Sequence, residues 1–479
     1  MLKNNDKITQ LLQSRLILFI FGVLLFLIGT SLYNIKVYQY DAWYYWIVAD
    51  PVFKSGFNIY AFPETFRGCL FPIFLSGIKK ICNSIGLGEY WGWRMCISFL
   101  LSSLYVFILP VMFNDYKVSI FTYIKMILIS ILLNIFWGDF LSYPLSDLPA
   151  FFFMLLGTSL LVRFSETNMK LLHSLCVGIG IGVSYYISYN TRVAFIYGII
   201  CALLVCFIYT LKGKRWKNIF LLLGIILGLF VSAIPQMLIN NNYIHKISPK
   251  VYTEQLYNYD ENLQTMQLYW GILYPRYETY MGDFDEYPIP NVFFDDPVGQ
   301  EIIKREDLTE NNFGIKTLLK ILFKYPSDLI GIYSRHLVSV ITPIWSQIFI
   351  TNIYSNKGLY ILSAIVIWIL AVIALLFQKN DLELIQLLYL FSSFVPAFLQ
   401  LAGATELRFF ISVYLVLYYY VIYKVRYKEL YIKTKPHFAK IIILSIVIIV
   451  FWISNVSTIL SYNREKTLLI NDYYTIERK

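Results

Sequence analysis

Eleven apolar segments, each near the length of a helix that crosses lipid, decide what this chain can become. They cover residues 16–35, 94–113, 118–137, 148–162, 172–188, 193–211, 219–239, 358–377, 382–402, 409–423 and 439–460. A helix needs roughly 20 apolar residues to cross the hydrocarbon core, and a helix satisfies its own backbone polar groups there. The composition agrees: 58% of the 479 residues are hydrophobic and 15% are charged, where a soluble domain carries about 25% charge. Mean hydropathy is +0.60. The expected fold class is an all-α polytopic membrane protein, a bundle of about 11–12 transmembrane helices.

Charge orients the bundle. Lys3, Lys7 and Arg15 precede the first segment, and the basic turn Lys212-Gly213-Lys214-Arg215-Trp216-Lys217 separates the sixth from the seventh. Positive residues stay on the cytoplasmic side, so residues 36–93, 138–147, 189–192 and 240–330 face outward. The last of these holds 14 acidic and 8 basic side chains, which suits a long translocated loop, expected to be partly folded and held against the membrane. Three parts follow: a seven-span module over 1–239 with its first outer loop at 36–93, an acidic outer loop at 240–330, and a C-terminal membrane module at 331–479. In the first loop, 68–85 is amphipathic and closes on Lys79-Lys80, as an interfacial helix would. Turn signals stand at Tyr287-Pro288-Ile289-Pro290 and Asp296-Pro297. Residues 329–350 carry Arg335, His336 and Pro343. A segment that fails to cross there keeps the basic stretch from Lys424 to Lys440 inside and places Glu406 and Arg408 outside.

The outward residues that can carry chemistry begin with Asp41, in Tyr38-Gln39-Tyr40-Asp41-Ala42-Trp43-Tyr44-Tyr45-Trp46. An ionised carboxylate at the aqueous boundary can take a proton from a hydroxyl as general base. The aromatics beside it suit sugar stacking, and equally an interfacial belt. In Phe62-Pro63-Glu64-Thr65-Phe66-Arg67-Gly68, Glu64 and Arg67 are candidate substrate contacts. Arg67 has the fork geometry for a phosphate, and Gly68 permits close backbone approach; a plain surface turn explains the same run. Asp139 and Asp147 bracket a short outer turn. Ser146 as N-cap with Asp147 and Pro149 in the first turn is good helix-start chemistry with no site at all. Arg192 lies at another outer turn, where a lipid phosphate is a natural partner. Arg276, Glu406 and Arg408 add further candidate contacts.

Absences narrow the class. The four histidines are scattered with no HExxH, and there is neither GxxxxGK[ST] nor GxGxxG. A zinc hydrolase and direct use of a cytoplasmic nucleotide are disfavoured, and nothing points to nucleic acid. The six cysteines form no CxxC, and only Cys69 and Cys82 are placed for a disulfide on the oxidising side.

Taken together, these positions resemble the GT-C class of integral-membrane glycosyltransferases, the superfamily of protein O-mannosyltransferases and lipid A aminoarabinose transferases. The likeness rests on an acid after the first span (Asp41), an outer loop with interfacial helices, Ser146-Asp147-Leu148-Pro149 opening a span, Arg192 at a mid-chain outer turn, the long outer loop, and Glu406 with Arg408. The resemblance implies transfer of a sugar from a polyprenyl-phosphate donor to a cell-envelope acceptor outside the plasma membrane, usually with inversion. It makes Asp41 the base, gives the donor phosphate to Arg192 and Arg408, and assigns the acceptor or a divalent cation to Asp147 or Asp139. The chain departs from the pattern where Ala42 replaces a second acid and where 64–68 replaces a proline-rich turn, so metal dependence and acceptor stay open. The chemistry has its own logic: with no nucleotide sugar outside the cell, the activated sugar must arrive on a lipid whose phosphate leaves, and arginines stabilise that charge. A polymerase or ligase of lipid-linked glycans shares these features. A flippase would call for mid-span charges and repeat symmetry, whereas most of the candidate charges here collect on one surface and no such symmetry is seen.

Overall fold

The computed structural model describes residues 14–33, 35, 38, 40–63, 67–166, 170–212, 216–252, 263–280, 291–343, 349–350, 358–378 and 383–461. They are almost wholly helical. In chain order the helices are α1 (Arg15–Ser31), α2 (Tyr40–Val48), α3 (Asp50–Lys54), α4 (Leu70–Ser84), α5 (Glu89–Met112), α6 (Ile120–Ser142), α7 (Asp147–Glu166), α8 (Leu171–Thr191), α9 (Phe195–Lys212) and α10 (Trp216–Ile244). After them come α11 (Leu263–Leu273), strands β1 (Arg276–Tyr280) and β2 (Asn291–Phe294), α12 (Pro297–Arg305), α13 (Ile315–Lys324), α14 (Pro326–Val340) and β3 (Phe349–Ile350). The last four are α15 (Gly358–Phe377), α16 (Leu384–Ala402), α17 (Leu407–Lys424) and α18 (Tyr427–Ser461). Among the described residues nine helices are long and apolar enough to cross a membrane, and α1 and α9 are shorter apolar helices. The chain is a helical, multi-pass membrane protein.

Two compact units share the chain. One takes Met1–Thr253, Asn380–Pro396 and Tyr418–Lys424, and the other takes Glu254–Lys379, Ala397–Leu417 and Val425–Lys479. This division cuts across the three segments expected from charge and hydropathy, because most of the acidic stretch packs with the C-terminal helices.

Glycine sets the geometry of the first unit. Gly178 and Gly182 on α8 face Gly224 and Gly228 on α10, and a Cβ at Gly178 would lie 2.3 Å from the Leu221 carbonyl oxygen. Small residues four apart on both helices let the backbones touch, which is how helices pack where lipid offers no hydrophobic drive. The offset of 46 between these positions recurs further along, where the Asn190 amide meets Gln236. The glycine seam therefore fixes which polar groups meet at the helix ends.

In the second unit α11, α12, α13 and α14 bury Ile272, Ile302, Phe313, Ile321, Leu329 and Ile332 in a shared apolar core. The described part of the acidic stretch thus folds around a core of its own. Asp296-Pro297 is a helix start: the Asp296 carboxylate accepts from the Val298 and Gly299 amides at 3.0 and 3.4 Å, and Pro297 opens α12. β1 pairs antiparallel with β2 and parallel with β3, a small sheet within an otherwise helical fold. The turn expected at 287–290 lies outside the described residues. Residues 329–350 are no continuous span: α14 ends at Val340 ahead of Pro343, and β3 joins the sheet.

Helix α4 also differs from expectation. Lys80 is exposed, whereas Lys79 is buried, with Nζ donating to the Trp46 carbonyl at 2.9 Å and to Asp50. The Trp46 ring centroid lies 4.5 Å from Nζ. The apolar face of α4 packs inward so far that one of its two lysines is buried and pairs with Asp50, which is itself a third exposed.

Candidate functional site

Three helix ends and one loop of the first unit supply the charged residues expected outside. Tyr40 turns the chain with φ 49°, a left-handed conformation that costs an aromatic residue about 1–2 kcal/mol. Strain of this kind collects at functional sites. The turn puts Asp41 in the first turn of α2. Asp147 occupies the same place in α7, where the Ser146 carbonyl accepts from the Ala150 amide at 3.0 Å. Arg192 caps the C-terminal end of α8. Acids at helix N-termini and a cation at a C-terminus each gain from the macrodipole, so local structure alone accounts for the individual charges.

Their connection exceeds capping. Arg67 Nη2 donates to Asp41 Oδ1 at 3.1 Å, and its Nη1 donates to the Tyr45 hydroxyl at 2.9 Å. Tyr45 in turn donates to Ser146 Oγ at 3.2 Å. The neighbour of Ser146, Asp147, holds Arg192 through an Nη1 to Oδ1 contact of 2.6 Å. Two acids and two arginines from four separate places in the chain thus form one linked, charge-balanced line. Its Asp41 end is open, with side chains 32% and 29% exposed for Asp41 and Arg67. The Asp147 end is enclosed, and Asp147 Oδ2 is buried with no hydrogen-bond partner among the described residues.

The aromatics around Asp41 divide by role. The Tyr44 and Tyr45 rings lie 5.1 and 4.9 Å from the Arg67 guanidinium carbon and hold it by cation–π attraction. Trp46 is buried and donates to Glu89 at 2.8 Å. Trp43, 49% exposed, is the one left facing out for a ligand or lipid.

Behind the line stands a set of amides that sequence reasoning missed. Gln236 Oε1 accepts from the Asn190 side chain at 2.8 Å and from the Cys69 amide at 3.1 Å, and Gln236 Nε2 donates to Asn240 at 3.0 Å. Asn190 Oδ1 accepts from the Leu70 amide at 2.8 Å. All three amide side chains are fully buried. They clamp the Arg67 loop to the ends of α8 and α10. Carboxamides inside an apolar span beside Pro235 were the available signal, since buried polar groups in spans are costly unless used. Gly68 serves this clamp: its Cα rests against the Asn190 carbonyl, so the close approach it permits is to protein backbone. Burial pushes the Cys69 thiol at this place up to about 12, which keeps it protonated and unreactive. All six cysteines are free.

The other expected residues are placed as follows. Asp139, half-buried in the last turn of α6, joins burial in pushing the Tyr143 phenol upward. Glu64 lies outside the described residues. Arg276, Glu406 and Arg408 belong to the second unit. Arg276 is enclosed at 1% exposure, paired with Glu278, and donates from Nη1 to the Ser339 and Thr342 carbonyls at 2.9 and 3.2 Å. It ties β1 to the end of α14. Glu406 and Arg408 form an ion pair with each other. Among the described residues no three His, Cys, Asp or Glu side chains gather closely enough to hold a metal ion.

Comparison of the chain with protein-family models, with curated proteins and with solved structures finds no match. Fold and site define a class by themselves: a polytopic helical membrane protein with a linked acid–arginine line at the ends of its helices.

Proposed function

We propose that the chain is an extracytoplasmic glycosyltransferase of the plasma membrane that moves a sugar from a polyprenyl-phosphate donor to a cell-envelope acceptor with inversion. The observation that carries this reading is the line from Asp41 through Arg67, Tyr45 and Ser146 to the Asp147–Arg192 pair. Asp41 at the open end is the general base. It takes the proton of the acceptor hydroxyl as that oxygen bonds to the sugar's anomeric carbon and the bond to the donor phosphate breaks.

Each arginine of the line already holds a carboxylate, and this gives donor binding a consequence. A phosphate that engages the Arg67 fork competes with Asp41 for the same N–H groups. The exchange frees Asp41 Oδ1 to accept a proton once the donor is in place. The departing polyprenyl phosphate keeps its charge against Arg67 and Arg192, while Asp147 Oδ2 remains an acceptor within the enclosed end.

The test is transfer in membranes supplied with radiolabelled polyprenyl-phosphate hexoses. Asp41→Asn, which keeps the shape and removes the base, is expected to lower transfer by about 10²-fold or more. Transfer by this variant at the wild-type rate eliminates Asp41 as base and the proposed chemistry with it.

A further inference from the structure

Helix α13 of the second unit has apolar residues on two faces. Ile321 is buried in the four-helix core and Leu318 packs against that core. On the adjoining, outward side Ile315, Leu319, Leu322 and Phe323 are 60%, 47%, 41% and 83% exposed, and Ile330 of α14 is 68% exposed. Spacings of four, three and one place the first four on one stripe. Scattered exposed apolar residues need no explanation, but a continuous stripe marks a surface that is covered by something.

The chemistry of the cover is written beside the stripe. Lys316, Lys320 and Lys324 recur every fourth residue, and the helix contains no acid. It does so within 240–330, where 14 acidic face 8 basic side chains, so its cations run against their surroundings. Glu306 pairs with Lys320 at 3.3 Å and with Lys324, yet these lysines stay 70% and 53% exposed. One anion anchors the rim and leaves three cations facing outward. At ten residues the helix rises about 15 Å, half of a hydrocarbon core of about 30 Å, so it cannot cross. The same unit carries α15 and α18, both of membrane-crossing length, and a bilayer is therefore tethered to it by the chain itself.

We propose that α13 lies along the bilayer surface, with the Ile315, Leu319, Leu322 and Phe323 stripe among the acyl chains of anionic phospholipid and the lysines at headgroup phosphates. An apolar face bordered by lysines is the signature of a helix lying in the interface, and near an anionic leaflet each lysine adds attraction. Docking of α13 is independent of the transfer chemistry proposed for the first unit, and its test reads no activity.

The test uses the full-length chain in phosphatidylglycerol nanodiscs, with its cysteines changed to serine and an environment-sensitive fluorophore on Phe323→Cys or, as a control on α12, Glu301→Cys. Glu301 is 61% exposed. Lipid carrying a doxyl group near the headgroup should quench position 323 at least about threefold more than position 301, and aqueous iodide should do the reverse. The first difference should fall about twofold in phosphatidylcholine. Equal iodide quenching at both positions puts α13 in water and overturns the proposal, as does a signal indifferent to lipid charge. Shielding from both quenchers, with energy transfer between two labelled copies, assigns the stripe to a second copy and also overturns it. Wild-type protein, with no substitution, provides the second arm: a phospholipid with a photoactivated acyl-chain diazirine should label residues 315–330, and labelling confined to the spans refutes the docking.

Discussion

Gly68→Ala tests the clamp behind the acid–arginine line. A Cβ at this position would lie 1.7 Å from the Asn190 carbonyl oxygen and 2.6 Å from Asn190 Oδ1, where ordinary contact begins at 3.4 Å. The obstacle is the backbone of α8, which cannot swing aside as a flexible side chain would. The loop must therefore retreat by about 1.7 Å, the difference between 3.4 and 1.7 Å. That movement breaks the amide hydrogen bonds of Leu70 to Asn190 and of Cys69 to Gln236, now 2.8 and 3.1 Å. Two buried bonds lost at about 1–2 kcal/mol each give a destabilisation of about 2–4 kcal/mol. Arg67, one residue away, moves with the loop, and a displacement of this order at a reacting centre costs about 10²-fold in rate. The control is Gly77→Ala in α4, where a Cβ meets nothing within 4 Å; there alanine should raise stability by about 0.5–1 kcal/mol through helix propensity. Unfolding of the purified protein in detergent and transfer in membranes are the two assays. Equal unfolding midpoints for the two variants would refute the account of Gly68.

Two further outcomes are expected. Asp147→Ala removes the carboxylate that holds the mostly buried Arg192 guanidinium and should cost about 3 kcal/mol, while the double variant with Arg192→Ala should fall short of the sum by at least about 1 kcal/mol; strict additivity in chemical denaturation contradicts the ion pair. His336 is fully enclosed, and burial, then the Arg335 guanidinium, push its imidazole down from 6.5 to about 3. Because the unfolded chain takes up this proton first, stability is complete above about pH 6.5 and declines on acidification, by about 3 kcal/mol at pH 4.5. His336→Gln should remove that part of the difference between pH 7.5 and 4.5, and an unchanged difference in unfolding midpoints rejects the assignment.

Much of the fold is legible in the order of residues because lipid imposes a local rule. Runs such as 358–377 read as spans without knowledge of any neighbour, and α15 covers Gly358–Phe377. Helix starts are local too, and Ser146-Asp147 marked the start of α7 correctly. Partner choice is a different matter. Asp41 and Arg192 stood out as outward charges, but that they hold Arg67 and Asp147 depends on how four separate chain segments meet. Arg276 reads as a candidate contact because, although Glu278 stands only two residues on, nothing nearby in the chain announces the Ser339 and Thr342 carbonyls at the end of α14 that help enclose it. How the acidic stretch folds is not legible in its order, because its apolar residues are spread thinly over short helices and only their packing makes a core. The glycines of α8 and α10 announce their seam in a spacing of four.

The distances along the chain between the clamped groups dictate an order of assembly. Arg67 and Asp41 are 26 residues apart, but the Leu70 amide waits for Asn190, 120 positions later, and the Cys69 amide waits for Gln236, 167 positions later. During synthesis the first loop emerges long before its anchors exist, so the Leu70 amide stays hydrated until α8 leaves the ribosome and the Cys69 amide until α10 does. Contacts this remote close late. A nascent chain halted before residue 236 would carry every residue from Asp41 to Arg192 and still lack the brace that makes them one surface.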